Sequence, residues 1–352
     1  MNSIISLLFY LVIAAVSAVA TYLAQKQNRK ALLLFPVLLL SLVAGLRSLE
    51  VGVDTETYNA LFYFTQRMNF SNVTREHLFY YTSVFVLSLF GTTAAVFTVF
   101  AFLINTLVFL RLWDFRYSAH LGVAVFLFVT FYFGGTMNGL RQYIAVAILF
   151  FATRYLKKRQ YIRFLFMLVL AISFHNSAIV ACLFPALYIF PQKAYTLKEV
   201  LILGITLICV PLSGMMFFHQ YAGYYSDAKE AEFGLMGITR LTILLLTYLM
   251  FKNAIHVEIT DISGFTDNSS FSFVFGICFI GFSLGLSSMI VEYASRMGYY
   301  FRIFELVYFG MIFHSSEVGR SLKVAFFAAL TVLGTYFLWT YNGIIPYSTI
   351  FG

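Results

Sequence analysis

NGLRQYIAVAIL, residues 138–149, sets an arginine at the head of an otherwise apolar helix. Arg141 has Asn138 three positions before it and Gln142 directly after it. Side chains three and four apart share one face of a helix, so Asn138, Arg141 and Gln142 form a single polar patch. A cation inside a membrane segment is costly and marks function by default. The rest of the chain is therefore read for what gathers on the same side as Arg141.

Composition sets the class. Hydrophobic residues make up 61% of the 352 and charged residues 11%, with a mean hydropathy of +0.85, whereas soluble chains carry roughly 25% charged residues. This is the composition of an all-α, polytopic integral membrane protein. Residues 1–24 lack a basic start and a small-residue cleavage site, so they read as a first span and not as a removable signal. The net charge of +8 comes from residues scattered near span ends, which is the pattern of topology signals and argues against nucleic-acid binding. Cys182, Cys209 and Cys278 sit in apolar runs without C-x-x-C spacing, so packing is their expected role.

Apolar segments at 2–24, 31–46, 93–112, 118–133, 138–153, 161–174, 177–190, 199–216, 237–251, 271–290, 297–313 and 323–341 read as about twelve transmembrane helices. Residues 78–90 are apolar as well but too few to cross: they give about 20 Å of helix against a hydrocarbon core of about 30 Å. A re-entrant or interfacial helix is expected there. The whole chain, 1–352, is expected to form one transmembrane domain, with outer loops at 47–77 and 217–236 and an inner loop at 252–270. That inner loop carries Glu258, Asp261 and Asp267 and is too short to fold by itself.

Lysine and arginine mark the inner side. With the amino terminus outside and 78–90 not crossing, 15 of the 23 basic residues fall inside: Lys26, Arg29, Lys30, Arg111, Arg116, Arg154, Lys157, Lys158, Arg159, Arg163, Lys193, Lys198, Lys252, Arg320 and Lys323. Letting 78–90 cross reverses the count to 8 inside. Starting inside and crossing at 78–90 also scores 15, because Lys26, Arg29 and Lys30 trade against Arg47, Arg67 and Arg75. Charge does not separate the first arrangement from the third; the shortness of 78–90 favours the first.

In the first arrangement the unusual polar residues share the outer side. Arg47 and the Asp54 loop follow the second span, Asn138, Arg141 and Gln142 open a span after GGTM (134–137), HNS (175–177) joins two short spans, and Arg296 precedes another. Short flanking spans place these turns below the outer surface, where non-helical backbone is tolerated only around a protein-lined cavity. The expectation is a polar, arginine-rich funnel open to the extracytoplasmic face.

Arg47, Arg141 and Arg296 would bring three guanidinium groups into that cavity, and such planar forks suit phosphate and pyrophosphate oxygens. The plainer alternative is internal ion pairing, Asp54 with Arg141 or Glu292 with Arg296. Asp54, followed by Glu56 and Tyr58, is a general base or positioning group, or else it or Thr55 merely caps a helix starting near residue 56; two carboxylates two apart are a weak metal signal. His175, flanked by Asn176 and Ser177, is a proton carrier near neutral pH or a hydrogen-bonded structural group. Tyr299 and Tyr300 share the face of Arg296 and either stack on sugar rings or belong to an interfacial aromatic belt. Arg302 points elsewhere and is expected to pair with Glu305. His77, His120, His219, His256 and His314 show no ligand spacing, and G-x-x-x-x-G-K-[ST] does not occur. A pump or transferase that uses cytoplasmic nucleotides is therefore disfavoured.

Four of these stretches, GLRSLEVGVDTETY (45–58), NGLRQYIAVAIL (138–149), FHNSAIV (174–180) and RMGYYF (296–301), resemble, in order, the EpsG family, a branch of the Wzy-type polysaccharide polymerases of bacterial envelopes. The resemblance implies a metal-independent, GT-C-like glycosyltransferase without cofactor, in the bacterial inner membrane with its site facing the periplasm. It implies donor and acceptor oligosaccharides carried on undecaprenyl pyrophosphate, for O-antigen and lipopolysaccharide, capsule or exopolysaccharide. A flippase and a chain-length regulator are implied partners. Arg47, Asn138, Arg141, Gln142, Asn176, Arg296, Tyr58, Tyr299 and Tyr300 would bind pyrophosphate and sugar, and His175 or Asp54 would take the acceptor proton. The short 217–236 loop departs from relatives with a larger outer loop, which bears on the acceptor site. A lipid-linked glycan flippase would call for an internal repeat with broken spans in both halves, and none is seen; a ligase or an O-acetyltransferase is the nearer rival.

Overall fold

The structure, a computed structural model, describes residues 2–67, 76–189, 234–252, 255, 269–286, 294–340 and 343–351. The expected span 199–216, most of the loops 217–236 and 252–270, Cys209 and Glu292 lie outside these residues. Every regular element among the described residues is helical: α1 (Ser3–Lys26), α2 (Leu34–Gly45), α3 (Thr55–Arg67), α4 (His77–Phe90), α5 (Thr93–Trp113), α6 (Leu121–Phe131), α7 (Phe133–Asn138), α8 (Leu140–Lys157), α9 (Tyr161–Phe174), α10 (Phe184–Ile189), α11 (Gly234–Phe251), α12 (Ser269–Leu286), α13 (Ala294–Arg302), α14 (Glu305–His314) and α15 (Arg320–Thr340). Short 3₁₀ helices occupy Lys30–Leu33 and Asn176–Leu183. The protein is membrane-embedded, and α1, α5 and α15 are long and apolar enough to cross a membrane alone.

The core is built around α6. All eleven of its residues are buried, as expected of a helix apolar on every side, and α1, α14 and α15 pack around it. Its chain does not run on as one span: it breaks at Tyr132 into α7, and again at Gly139 into α8. The segment 297–313, read above as one span, is also broken, at 303–304 between α13 and α14. Close backbone contact holds α13 in place. A Cβ on Gly281 of α12 would lie 2.6 Å from the Arg302 nitrogen and 2.9 Å from the Gly298 carbonyl, so only glycine permits this approach.

Contacts sort the turns into two ends of the bundle. At one end the Ile350 N–H donates to the Leu46 carbonyl (3.0 Å), Arg47 donates to the Met137 carbonyl (3.0 Å), and Gly52 abuts Asn138. At the other end Gln25 bonds the Ala119 carbonyl (2.8 Å) and the Leu121 N–H (2.9 Å), and Asp114 pairs with Arg111 (3.0 Å) and with Arg154. Both ends of α4 belong to the first set. Glu76 before it pairs with Arg141, and Thr93 beyond it donates to Asn59 in the first half of α3 (2.6 Å). An arrangement in which 78–90 crossed would put Arg47 and Arg141 at opposite ends, so these contacts favour the one in which it does not. The polar stretch before it, read as a loop with a helix starting near residue 56 as one alternative, contains the helix α3.

The near end of α4 is sunk. Phe79 packs on Phe100 (5.1 Å between ring centres), and Phe100 on Phe174 at the end of α9 (6.2 Å). Phe100 lies seven residues into α5, about 10 Å below its tip. The start of α4 and the end of α9 therefore meet inside the bundle.

Candidate functional site

Glu76 is the hub of this meeting point. Its backbone is left-handed (φ 54°, ψ 38°), a conformation that costs a residue with a Cβ about 1–2 kcal/mol. One carboxylate oxygen lies 2.6 Å from an Arg141 guanidinium nitrogen and the other 2.6 Å from His175 Nδ1. The Asn176 N–H faces the same carboxylate. That N–H is available because α9 stops at Phe174 and His175 is extended (φ −156°, ψ 121°) before the 3₁₀ helix begins, leaving the first amides of the new helix without helical partners.

Burial pushes the Glu76 carboxyl up, but the His175 hydrogen bond, the Arg141 charge and the Asn176 N–H outweigh it and hold it below the ordinary carboxylate range. An ionised carboxylate only accepts hydrogen bonds, so His175 Nδ1 is the donor. The tautomer is thereby fixed, and in the neutral ring Nε2 carries the lone pair. This is the arrangement of an oriented base.

Arg141 retains capacity for a ligand. Its side chain is 35% exposed, against 9% for Glu76 and 16% for His175. The guanidinium leans over Tyr58 (5.9 Å) and Phe79 (5.8 Å), with the Tyr58 hydroxyl close beside it. The internal partner weighed for Arg141 was Asp54; the structure supplies Glu76 instead. Asp54 directly precedes α3, and its carbonyl accepts the Tyr58 N–H (2.9 Å), which is the position of a helix cap.

The remaining expected residues divide into two groups. Gln142 donates to the Arg296 carbonyl (2.7 Å), and the Tyr143 and Tyr299 rings sit 5.4 Å apart, so the head of α8 and the start of α13 form one wall. Asn176 is exposed beside His175. Arg47, Asn138 and Tyr300 serve packing in this geometry. Arg47 is 2% exposed, and its guanidinium donates to Thr55, the Ala44 carbonyl and the Met137 carbonyl and rests on Phe97. It stitches the 46–55 loop to α7 and does not stand in an open cavity. Asn138 is 5% exposed and fills the space left by Gly52, whose φ of 92° favours glycine and whose Cβ would overlap the Asn138 side chain. Tyr300 has no exposed surface, and its hydroxyl meets Ser177 (3.0 Å), fixing the HNS turn. Arg302 does not pair with Glu305: it donates to the Ser295 carbonyl (2.7 Å), while Glu305 pairs with Arg240 of α11.

Two acids thus escaped the sequence reading. Glu76 was passed over as the end of a polar loop, although REH at 75–77 directly precedes the short apolar helix, and the chain has only 15 acidic residues. Glu305 was assigned to its neighbour because Arg240 lies 65 residues away. Among the described residues no three His, Cys, Asp or Glu side chains cluster as metal ligands would.

No curated protein and no solved structure matches the chain. Residues 30–349 match the EpsG family, so the chain belongs to that family, as a membrane protein of polysaccharide biosynthesis.

Proposed function

We propose that this protein is a polysaccharide repeat-unit polymerase that transfers a growing glycan from undecaprenyl pyrophosphate to the next lipid-linked unit. Its carrying observation is the Glu76–His175 pair beside a partly exposed Arg141. A hydroxyl of the incoming unit attacks the anomeric carbon of the growing chain. His175 Nε2 takes its proton, and Glu76 holds the ring and offsets the imidazolium charge. The bond from the anomeric carbon to the pyrophosphate oxygen breaks, and its electron pair leaves with undecaprenyl pyrophosphate. Arg141 spends one contact on Glu76 and has further N–H donors for the charge growing on that leaving group. His175 then returns the proton to the released pyrophosphate or to water. His175 is the better base of the two considered, because Glu76 holds its ring in place and shares its carboxylate with Arg141.

This reading includes a GT-C-like bundle of about twelve spans with α4 as a re-entrant helix. The basic turns face the cytoplasm, and the Glu76 site faces the periplasm of an inner membrane. The contacts tying both ends of α4 to one end of the bundle support it, as does the basic 154–163 turn at the other. A flippase delivering the lipid-linked unit and a chain-length regulator are the proposed partners. A ligase would use the same arginine, so the test is the glycan ladder of a strain lacking the gene. Loss of the ladder with a single repeat unit retained supports the polymerase. A full ladder rejects it and points to modification such as O-acetylation, and loss of even the single unit points to a ligase or a flippase.

A further inference from the structure

The stretch 343–351, which follows α15, returns to the site end of the bundle and runs antiparallel to 46–52. The Gly52 N–H donates to the Gly343 carbonyl (2.9 Å), the Ser48 N–H to the Ser348 carbonyl (2.9 Å), and the Ile350 N–H to the Leu46 carbonyl (3.0 Å). Arg47 and Thr349 form the isolated bridge, and the Ser48 and Ser348 hydroxyls lie 2.6 Å apart. The stretch is itself anchored. Tyr347 is 3% exposed, stacks on Phe9 (4.7 Å), donates its N–H to the Ser6 hydroxyl oxygen (2.8 Å) and donates its own hydroxyl to the Val43 carbonyl (3.0 Å). Gly343 turns the chain into this path at φ 58°, where a Cβ would press on Val53.

What the stretch grips is the loop carrying Arg47 and Gly52, which touch Met137 and Asn138 directly ahead of the Arg141 helix. The same loop leads into α3 and Tyr58, whose ring lies under the Arg141 guanidinium. A continuous path of hydrogen bonds and packed backbone therefore runs from Ser348 to Arg141. We infer that residues 343–351 are a positioning strap that sets the 46–58 loop against the head of α8 and so places Arg141 for its anionic ligand. The proposed polymerase activity is the premise of the activity readouts only; the strap itself is read without it.

Two measurements decide this on the full-length protein and on a chain ending at residue 342. The first is hydrogen–deuterium exchange. The 46–55 amides are expected to exchange about 10²-fold faster in the shortened chain, a local opening, while α5 and α6 stay protected. Unchanged exchange over 46–55 overturns the strap. The second is the glycan ladder with graded variants. The shortened chain and Gly343→Ala are expected to lose polymer, by roughly 10²-fold in the former, at normal protein level, while Ser348→Ala loses severalfold less. Joining Ser48→Cys to Ser348→Cys by oxidation is expected to leave polymerisation intact, which a disordered or merely stabilising tail would not require. A shortened chain with the parent's ladder, or inactivation on oxidation, sinks the positioning role. A full-length protein that makes no polymer defeats the polymerase reading instead, and the exchange result still decides the strap.

Discussion

Among the described residues two Arg–Glu pairs occupy this bundle, and they differ in what surrounds them. Glu76–Arg141 stands where α4 and α9 meet, with side-chain exposures of 9% and 35%, and shares its carboxylate with His175. Arg240–Glu305 lies in the core, with exposures of 8% and 1%; its arginine also donates to the Tyr132 hydroxyl (3.1 Å) and sits over Phe131 (4.6 Å). The inner pair joins α11 and α14 at the two helix breaks, since Tyr132 between α6 and α7 donates in turn to the Arg302 carbonyl at the end of α13 (2.8 Å). Chemically alike, the pairs do different jobs. The buried one fixes helices and offers nothing to a ligand, whereas the outer one leaves its arginine partly exposed beside an imidazole that is itself partly exposed.

The largest expected effect breaks the comparison open. Arg141→Ala is expected to lower polymer formation by roughly 10²–10³-fold, the usual cost of removing a group that stabilises transition-state charge, with protein level unchanged. Glu305→Ala strands a charge in the core and is expected to cost about 3–5 kcal/mol of stability. Protein level and melting temperature should fall, while the surviving folded fraction keeps its activity per molecule. Equal loss of folded protein in both variants would erase the distinction.

Glu76→Gln sharpens it, since the shape stays while the charge goes. The ring of His175 loses the acceptor-only carboxylate that sets its tautomer and offsets its charge, and turnover is expected to fall about 10²-fold, with a smaller change in apparent affinity for the lipid-linked donor. His175→Ala should reach at least the same loss. Kinetics of purified protein on lipid-linked repeat units would separate kcat from KM. A Glu76→Gln variant that turns over normally would leave His175 without a need for its partner.

Acid stability gives a third, smaller difference. The Glu76 carboxyl is held below its ordinary value in the folded protein, so its contribution to stability is full above the unfolded value of about 4.3. That contribution is lost as pH falls through the lower folded value. Melting temperatures measured from pH 6 down to pH 3 should drop more steeply for the parent than for Glu76→Gln. Parallel curves would mean that the carboxylate gains nothing from its partners.

Local sequence carried the helices well and their partners poorly. The span read at 161–174 is α9 to the residue, and 93–112 is α5 within one, because a run of apolar side chains ended by HNS or by Arg111 is a local signal. The break at 303–304 has no such signal: IF interrupts nothing, and the carbonyl left over there is met by Tyr132, 170 residues away. Arg141 was conspicuous as a lone cation in an apolar stretch, yet its acid lies 65 residues off and the histidine on that acid another 99. Pairing across such distances is decided by how helices dock, and one sequence carries no record of it. Arg47 teaches the converse lesson. A cation beside an apolar span reads as ligand-seeking until the carbonyls of Ala44 and Met137 are seen to use it.

The smallest expected effect concerns Asp54, and it tests the choice of base. Asparagine caps a helix about as well as aspartate, so Asp54→Asn keeps the start of α3 and should shift stability by no more than a few tenths of a kcal/mol. It also removes the only chemistry a base at this position would supply. If His175 alone takes the acceptor proton, the variant should keep a ladder within about threefold of the parent, and Asp54→Ala should lose more through the weakened cap, which helix substitutions commonly cost at about 1 kcal/mol. The order Asn above Ala identifies a cap. An equal, severe loss in both, at normal protein level, would move the proton from His175 to Asp54 and return Glu76 to a purely structural pairing with Arg141.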